Sequence, residues 1–184
     1  MTFGVGYHSW IVATEDEDIL LQGGGPDDGD LFLMQSYRSE LGGVAAGLAV
    51  LGTLSRSGLI NIASTSFLCN NASAILSSNR PLTDSIFHRI EVDHDLVSTT
   101  KDLQENWCRG MDITYEWVKG HADDLNRELT RAERLNVIAD EQCDVVWLHA
   151  SGTWSARSSA GLWDSETCAL FIRGIKITIR MKDS

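Results

Sequence analysis

Ser36-Tyr37-Arg38-Ser39-Glu40-Leu41-Gly42-Gly43-Val44-Ala45-Ala46-Gly47-Leu48-Ala49-Val50-Leu51 is the stretch on which the reading of this chain turns. Tyr37, Leu41, Val44, Ala45, Leu48 and Leu51 recur at intervals of three or four, so they fall on one stripe of an α-helix running from Gln35 to Leu54. Ser36 is placed to cap it, and Ser39 and Glu40 fall in its first turn.

Upstream, Val5, Tyr7, Trp10 and Val12 lie in an apolar stretch with Gly4 and Gly6. An acidic turn from Glu15 to Asp18 follows, then Ile19-Leu20-Leu21 and a triple glycine, the pattern of two antiparallel strands. Asp27-Asp28-Gly29-Asp30 lacks the spacing and terminal glutamate of a calcium loop and reads as a solvated turn.

Downstream, Leu59 to Leu68 is β-rich and apolar, as a buried parallel strand requires. It runs through Cys69-Asn70-Asn71 into a short helix, Ala72 to Ser77. After Pro81 come a helix from Asp93 to Trp107, a strand from Ile113 to Val118, the polar loop Lys119 to Asp124 and a helix from Arg131 to Leu148. Strand alternating with helix indicates an α/β domain. Beyond Ala150 the composition turns to Ser, Gly and Thr before a last strand-like run, Ala169 to Ile179.

The 184 residues suit one compact domain with a small appendage, and 43% hydrophobic residues supply a core. No window has the apolar length of a membrane span, the N-terminus lacks signal-peptide layout, and an intracellular protein is expected. Cys69, Cys108, Cys143 and Cys168 form no CxxC pair and are expected to be reduced thiols. A net charge of −11 opposes nonspecific binding to phosphate backbones, so any nucleic-acid role must rest on a local site. No GxSxG, Walker-type loop, GxGxxG or HExxH occurs, which removes the usual support for serine hydrolases, nucleotide-binding folds and zinc proteases. Trp10, Tyr37, Trp117 and Trp147 could stack on bases, but their spacings assign most of them to the core.

Three segments in order carry a resemblance: Ser36-Tyr37-Arg38-Ser39-Glu40-Leu41, Cys69-Asn70-Asn71, and Trp117-Val118-Lys119-Gly120-His121 leading to Leu135-Asn136-Val137-Ile138-Ala139-Asp140-Glu141. Together they resemble the ribonuclease H domain of reverse transcriptases, especially of retrotransposon type. The resemblance implies a ribonuclease H-like mixed sheet flanked by helices over residues 1–148, with 149–184 as a C-terminal extension.

It also implies an activity, hydrolysis of the RNA strand of an RNA–DNA hybrid by two Mg²⁺ or Mn²⁺ ions held among four acidic residues. Hard cations need oxygen ligands, one to activate water and one to stabilise the leaving oxygen. Glu40 matches the family's glutamate, and Asp140 its last aspartate, near the start of the final helix. Asn70 stands where the family has an aspartate, and offers a neutral oxygen without charge. His121 matches a loop histidine tied to proton transfer or product release. Taken singly, Glu40 and Asp140 are ordinary helix charges, Asn70 a turn residue and His121 a loop residue.

The family's first aspartate lies on a central strand ahead of the segment like Gly4 to Thr14, and this chain opens instead on Met1-Thr2-Phe3. That strand is therefore expected to be missing and the metal site degraded. Three outcomes stay open for the sheet: its neighbours close up, the tail run Ala169 to Ile179 fills in, or the reading frame is truncated. The expected partners are an RNA–DNA hybrid or other nucleic acid and an upstream polymerase domain, with no membrane; the alternative is a noncatalytic binding or interaction remnant.

Overall fold

A computed structural model describes residues 6–27, 35–58, 61–81, 93–150, 170–172 and 175–177. Val5, Asp28 and Asp30, which enter the sequence reading, lie outside them. The architecture is mixed α/β, with helices packed on small sheets of antiparallel and parallel strands.

Strand β1 (Tyr7–Ala13) pairs antiparallel with β2 (Ile19–Pro26), from Tyr7 opposite Pro26 to Ala13 opposite Ile19. The triple glycine lies inside β2. Gly23 faces Trp10 across the ladder, and a Cβ there would lie 2.5 Å from the indole, so the ring occupies the space of the absent side chain.

Helix α1 (Ser36–Arg56) follows the predicted stripe: Leu41, Val44, Ala45, Leu48 and Leu51 are buried. Ser36 is its first helical residue and not its cap; Gln35 holds the cap position, with no side-chain cap bond. Strand β3 (Ser64–Cys69) leads into α2 (Ala72–Asn79), whose N-cap Asn71 accepts from the amides of Ser73 and Ala74. Helix α3 (His94–Asp102) passes into a π-helical turn, Leu103–Trp107, where sequence periodicity shows one continuous helix.

Strand β4 (Asp112–Trp117) then pairs parallel with β3, from Ser64 opposite Asp112 to Cys69 opposite Trp117. The chain reaches α4 (Arg131–Ala150) through a 3₁₀ turn at Ala122–Asp124. Thr130 and Glu133 form a reciprocal capping box: each side chain accepts from the other's backbone N–H, at 3.3 and 2.9 Å. Arg127 grips the same carboxylate through both guanidinium nitrogens, and with the Thr130 amide holds Glu133 well below its usual range, at about 2.

The tail run resolves into two short strands, β5 (Leu170–Ile172) and β6 (Ile175–Ile177), paired antiparallel with each other. A mixed sheet is the expectation from the family resemblance; the described residues form three separate two-stranded ladders, β1–β2, β3–β4 and β5–β6. Neither the closing of β1 onto β3 nor insertion of the tail is therefore seen. β3 is also less buried than a central parallel strand, with Ser64 and Ser66 exposed, because among the described residues it has a neighbour on one side only.

The two faces of β1 and β3 are covered by different helices. His8 and Val12 face α1, whereas the Ser9 hydroxyl donates to Ala139 O of α4 at 2.6 Å. On β3, Phe67 lies against Gly47 of α1 and stacks on Tyr115, their ring centroids 5.5 Å apart. The main core joins Val44, Ala45, Leu48 and Leu51 of α1 to Leu103 and Cys108, and a second cluster joins Leu41 to Cys69, Ala74, Leu96 and Val97. Between them Arg38, 2% exposed, bonds Asp93 and Asp95 at 2.7 to 3.0 Å and ties α1 to the start of α3.

Gly52 sets the fit of α1 against the π turn, since a Cβ there would lie 2.8 Å from Trp107 Cβ and 3.2 Å from its backbone carbonyl. Gly52→Ala gains about 1 kcal/mol of helix propensity but meets backbone, where overpacking costs roughly 1–3 kcal/mol. A lowered midpoint in urea unfolding is the expected result.

Candidate functional site

The four residues singled out in the sequence come from four different elements. Glu40 is on the second turn of α1, Asn70 follows β3, His121 precedes the 3₁₀ turn, and Asp140 lies midway along α4. Asp140 is thus deeper into its helix than the sequence match suggests, at the tenth of twenty residues.

The fold brings Glu40 and Asp140 to the lining of one cleft, with Asn70 beside Glu40 and His121 near Asp140. The Cys69 thiol, ending β3, donates to Glu40 Oε2 at 3.6 Å, and the Asn70 amide lies close enough to favour the charged form of that carboxylate. Glu40 in turn feels the charge of Asp140, and Asp140 that of His121. Gly120 lets the loop close over Asn70: a Cβ there would lie 3.1 Å from Asn70 Nδ2. Trp117, expected in the core, is 60% exposed and donates its indole N–H to Asn70 O at 3.1 Å, which fixes the strand ending. His121 holds a left-handed backbone conformation at φ 49° and is exposed.

Burial dominates the electrostatics. It pushes the Glu40 carboxyl above its usual range, an effect reinforced by Asp140 and Asp27 and opposed by the Cys69 thiol and Asn70. Asp140 is raised by burial first, then eased by His121 and raised again by Asp123 and Asp144. The Cys69 thiol is pushed up to about 12 by burial and by Glu40, so it is a hydrogen-bond donor and not a thiolate ligand.

Asp27 is the residue missed from sequence. Its acidic run reads as a solvated turn, yet Asp27 is 5% exposed, and its Oδ1 lies 2.6 Å from His8 Nδ1. Its second oxygen, Oδ2, is buried with no hydrogen-bond partner. Hairpin register is what takes it inside: Asp27 N–H donates to Gly6 O, placing its side chain under Gly42 of α1. No local sequence signal marks this, because the partner lies across the ladder.

As a metal centre the set is thin. Glu40 and Asp140 offer two carboxylates and Asn70 a neutral amide oxygen. Among the described residues no group of three or more His, Cys, Asp or Glu side chains is arranged to hold a metal ion. Two divalent ions carry four positive charges, so this donor set does not fit a two-ion centre. It can order hydrogen-bond donors and repel anions.

Comparison with protein-family models, curated proteins and solved structures finds no match.

The raised carboxyl groups give a pH signature with a defined sign. A carboxyl held above its unfolded value binds its proton more tightly in the folded chain, so its contribution is fully present at low pH and lost as pH rises through the raised value. For Glu40 the loss begins near the ordinary value of 4.5. Glu40→Gln removes this dependence, and its stability relative to the parent chain should increase from pH 4 to pH 8 in urea unfolding. A flat difference would show that Glu40 is not strained by ionisation.

Proposed function

We propose that this chain is a ribonuclease H-like domain of the kind attached to retroelement reverse transcriptases, with a degraded hydrolytic site. The observation that supports this reading is the convergence of Glu40, Asn70, His121 and Asp140, from four separated segments, at the carboxyl end of β3. That end of a parallel strand pair is where α/β folds gather chemistry, because loops and helix starts meet there. The proposed partner is an RNA–DNA hybrid, met at this local site and not through the net charge of −11.

Within that reading the missing charge at Asn70 is the decisive defect. Glu40 feels the charge of Asp140, the neighbouring Asp27 carboxylate is engaged by His8, and burial keeps Glu40 and Asp140 inclined to hold protons. The chain should therefore leave the RNA strand of a hybrid intact in Mg²⁺.

The test is restoration. Asn70→Asp should bind Mn²⁺ roughly tenfold more tightly than the parent chain, as an added carboxylate ligand implies, measured by titration calorimetry. Adding Glu40→Ala or Asp140→Ala should erase the gain, with circular dichroism confirming that each variant folds. If Asn70→Asp leaves Mn²⁺ affinity unchanged, these residues do not form a metal site and the reading fails. Hybrid cleavage by the unmodified chain in Mg²⁺ would overturn the degraded state while keeping the family.

A further inference from the structure

A cavity of about 740 Å³ separates β1 from β3 and is lined by every residue of both strands. Among the described residues each strand has one ladder, β1 with β2 and β3 with β4. In an antiparallel ladder alternate residues point their N–H and C=O groups away from the partner, so β1 turns a row of backbone donors and acceptors into this space. β3 does the same from the other side. Two sheet edges thus face one another across a channel, roofed by α1 and floored by α4.

The two edges run in opposite directions. Gly42, near the start of α1, meets His8 at the beginning of β1, whereas Glu40 on the same turn meets Cys69 at the end of β3. A strand laid between them therefore pairs antiparallel with one wall and parallel with the other, whichever way it runs. Its length is fixed by the walls, seven residues in β1 and six in β3.

The walls also select side chains. Towards α1 the channel is apolar, bounded by Val12, Val44, Leu51 and Phe67. On the opposite face β4 contributes Asp112, Thr114 and Glu116, which share the side of Ser66 because its hydroxyl bonds Thr114 Oγ1 at 2.7 Å. Among the described residues Glu15, Glu40 and Asp140 bring the lining carboxylates to five, against one lining guanidinium, Arg131.

We propose that this channel is a strand receptor, and that its occupant is an extended polypeptide segment of six or seven residues, apolar on alternate positions and basic on the others. Main-chain hydrogen bonds to both edges supply affinity, the apolar positions fill the α1 side, and the basic positions answer the acidic β4 side. The proposal rests on the two open edges and the charge of the walls, and does not depend on the nuclease reading.

The test titrates the isotope-labelled full chain with a capped seven-residue peptide alternating valine and lysine, following backbone amides by NMR. Saturable binding below about 1 mM is expected, with amide exchange in β1 and β3 slowed at least tenfold. A peptide N-methylated at alternate residues should bind at least tenfold more weakly, because it cannot complete the ladders. The double variant Asp112→Lys, Glu116→Lys, altered only at exposed β4 positions, should reverse the preference towards a valine–glutamate peptide.

Absence of saturable binding, or equal binding of the N-methylated peptide, overturns the proposal. So does exchange protection of β1 and β3 that appears with protein concentration alone, which would assign the channel to a second copy of the chain.

Discussion

Everything in this fold hangs on how closely α1 approaches its neighbours. Its face towards the strands lacks side chains at the crossing points: a Cβ at Gly43 would lie 3.0 Å from Ser9 O, and one at Gly47 2.9 Å from the Phe67 ring. Two-stranded ladders are marginal alone, so β1–β2 and β3–β4 persist because one helix packs on both. Glycine costs helix propensity, about 1 kcal/mol each, and the loss is offset by the apolar area that contact with both ladders buries. Arg38 then fixes the rotation of the helix. Burying a guanidinium is costly unless every charge is matched, and Asp93 and Asp95 match it bidentately from the start of α3.

That same rotation places Glu40 inward. Arg38 and Glu40 are two residues apart on α1, so the turn that sends the cation to α3 sends the carboxylate towards the end of β3. There it meets Cys69 from below, Asp27 from the hairpin and Asp140 from α4. Three acids press on one another here; His8 bonds Asp27, and His121 eases the repulsion on Asp140. The site is thus a product of packing, and its acidity is a strain on the fold.

The helices and strands were legible because burial writes a period into them. The α1 stripe, the β3-to-α2 order and the final helix all follow from positions that must avoid water. What was hidden depends on cross-chain geometry. The triple glycine carries no side-chain pattern of its own, yet Trp10 opposite Gly23 makes glycine the residue that fits inside β2. Asp27 read as solvated because its neighbours are acidic, yet the ladder carries it under Gly42. Trp117 read as core by its alternation, but it ends an outer strand and reaches only the carbonyl of Asn70. The π turn after α3 adds one residue to a turn without disturbing composition, so no period reveals it. Of the site, the four matched residues could be named from sequence order, while the acid that presses on Glu40 could not.

Charge joins the site to the channel. A net of −11 and a cleft whose charged lining residues are mostly carboxylates make the surface around Glu40 repulsive to a phosphate backbone. The same field favours a cationic polypeptide, whose main chain can also satisfy the edges of β1 and β3. Open edges are an aggregation hazard, and a protein can blunt them by recessing them between helices. Here α1 and α4 pack on either side of the space between them. Filling that space would complete the hydrogen bonding of both ladders, and would bring added positive charge beside the carboxylates that burial now holds uneasily together.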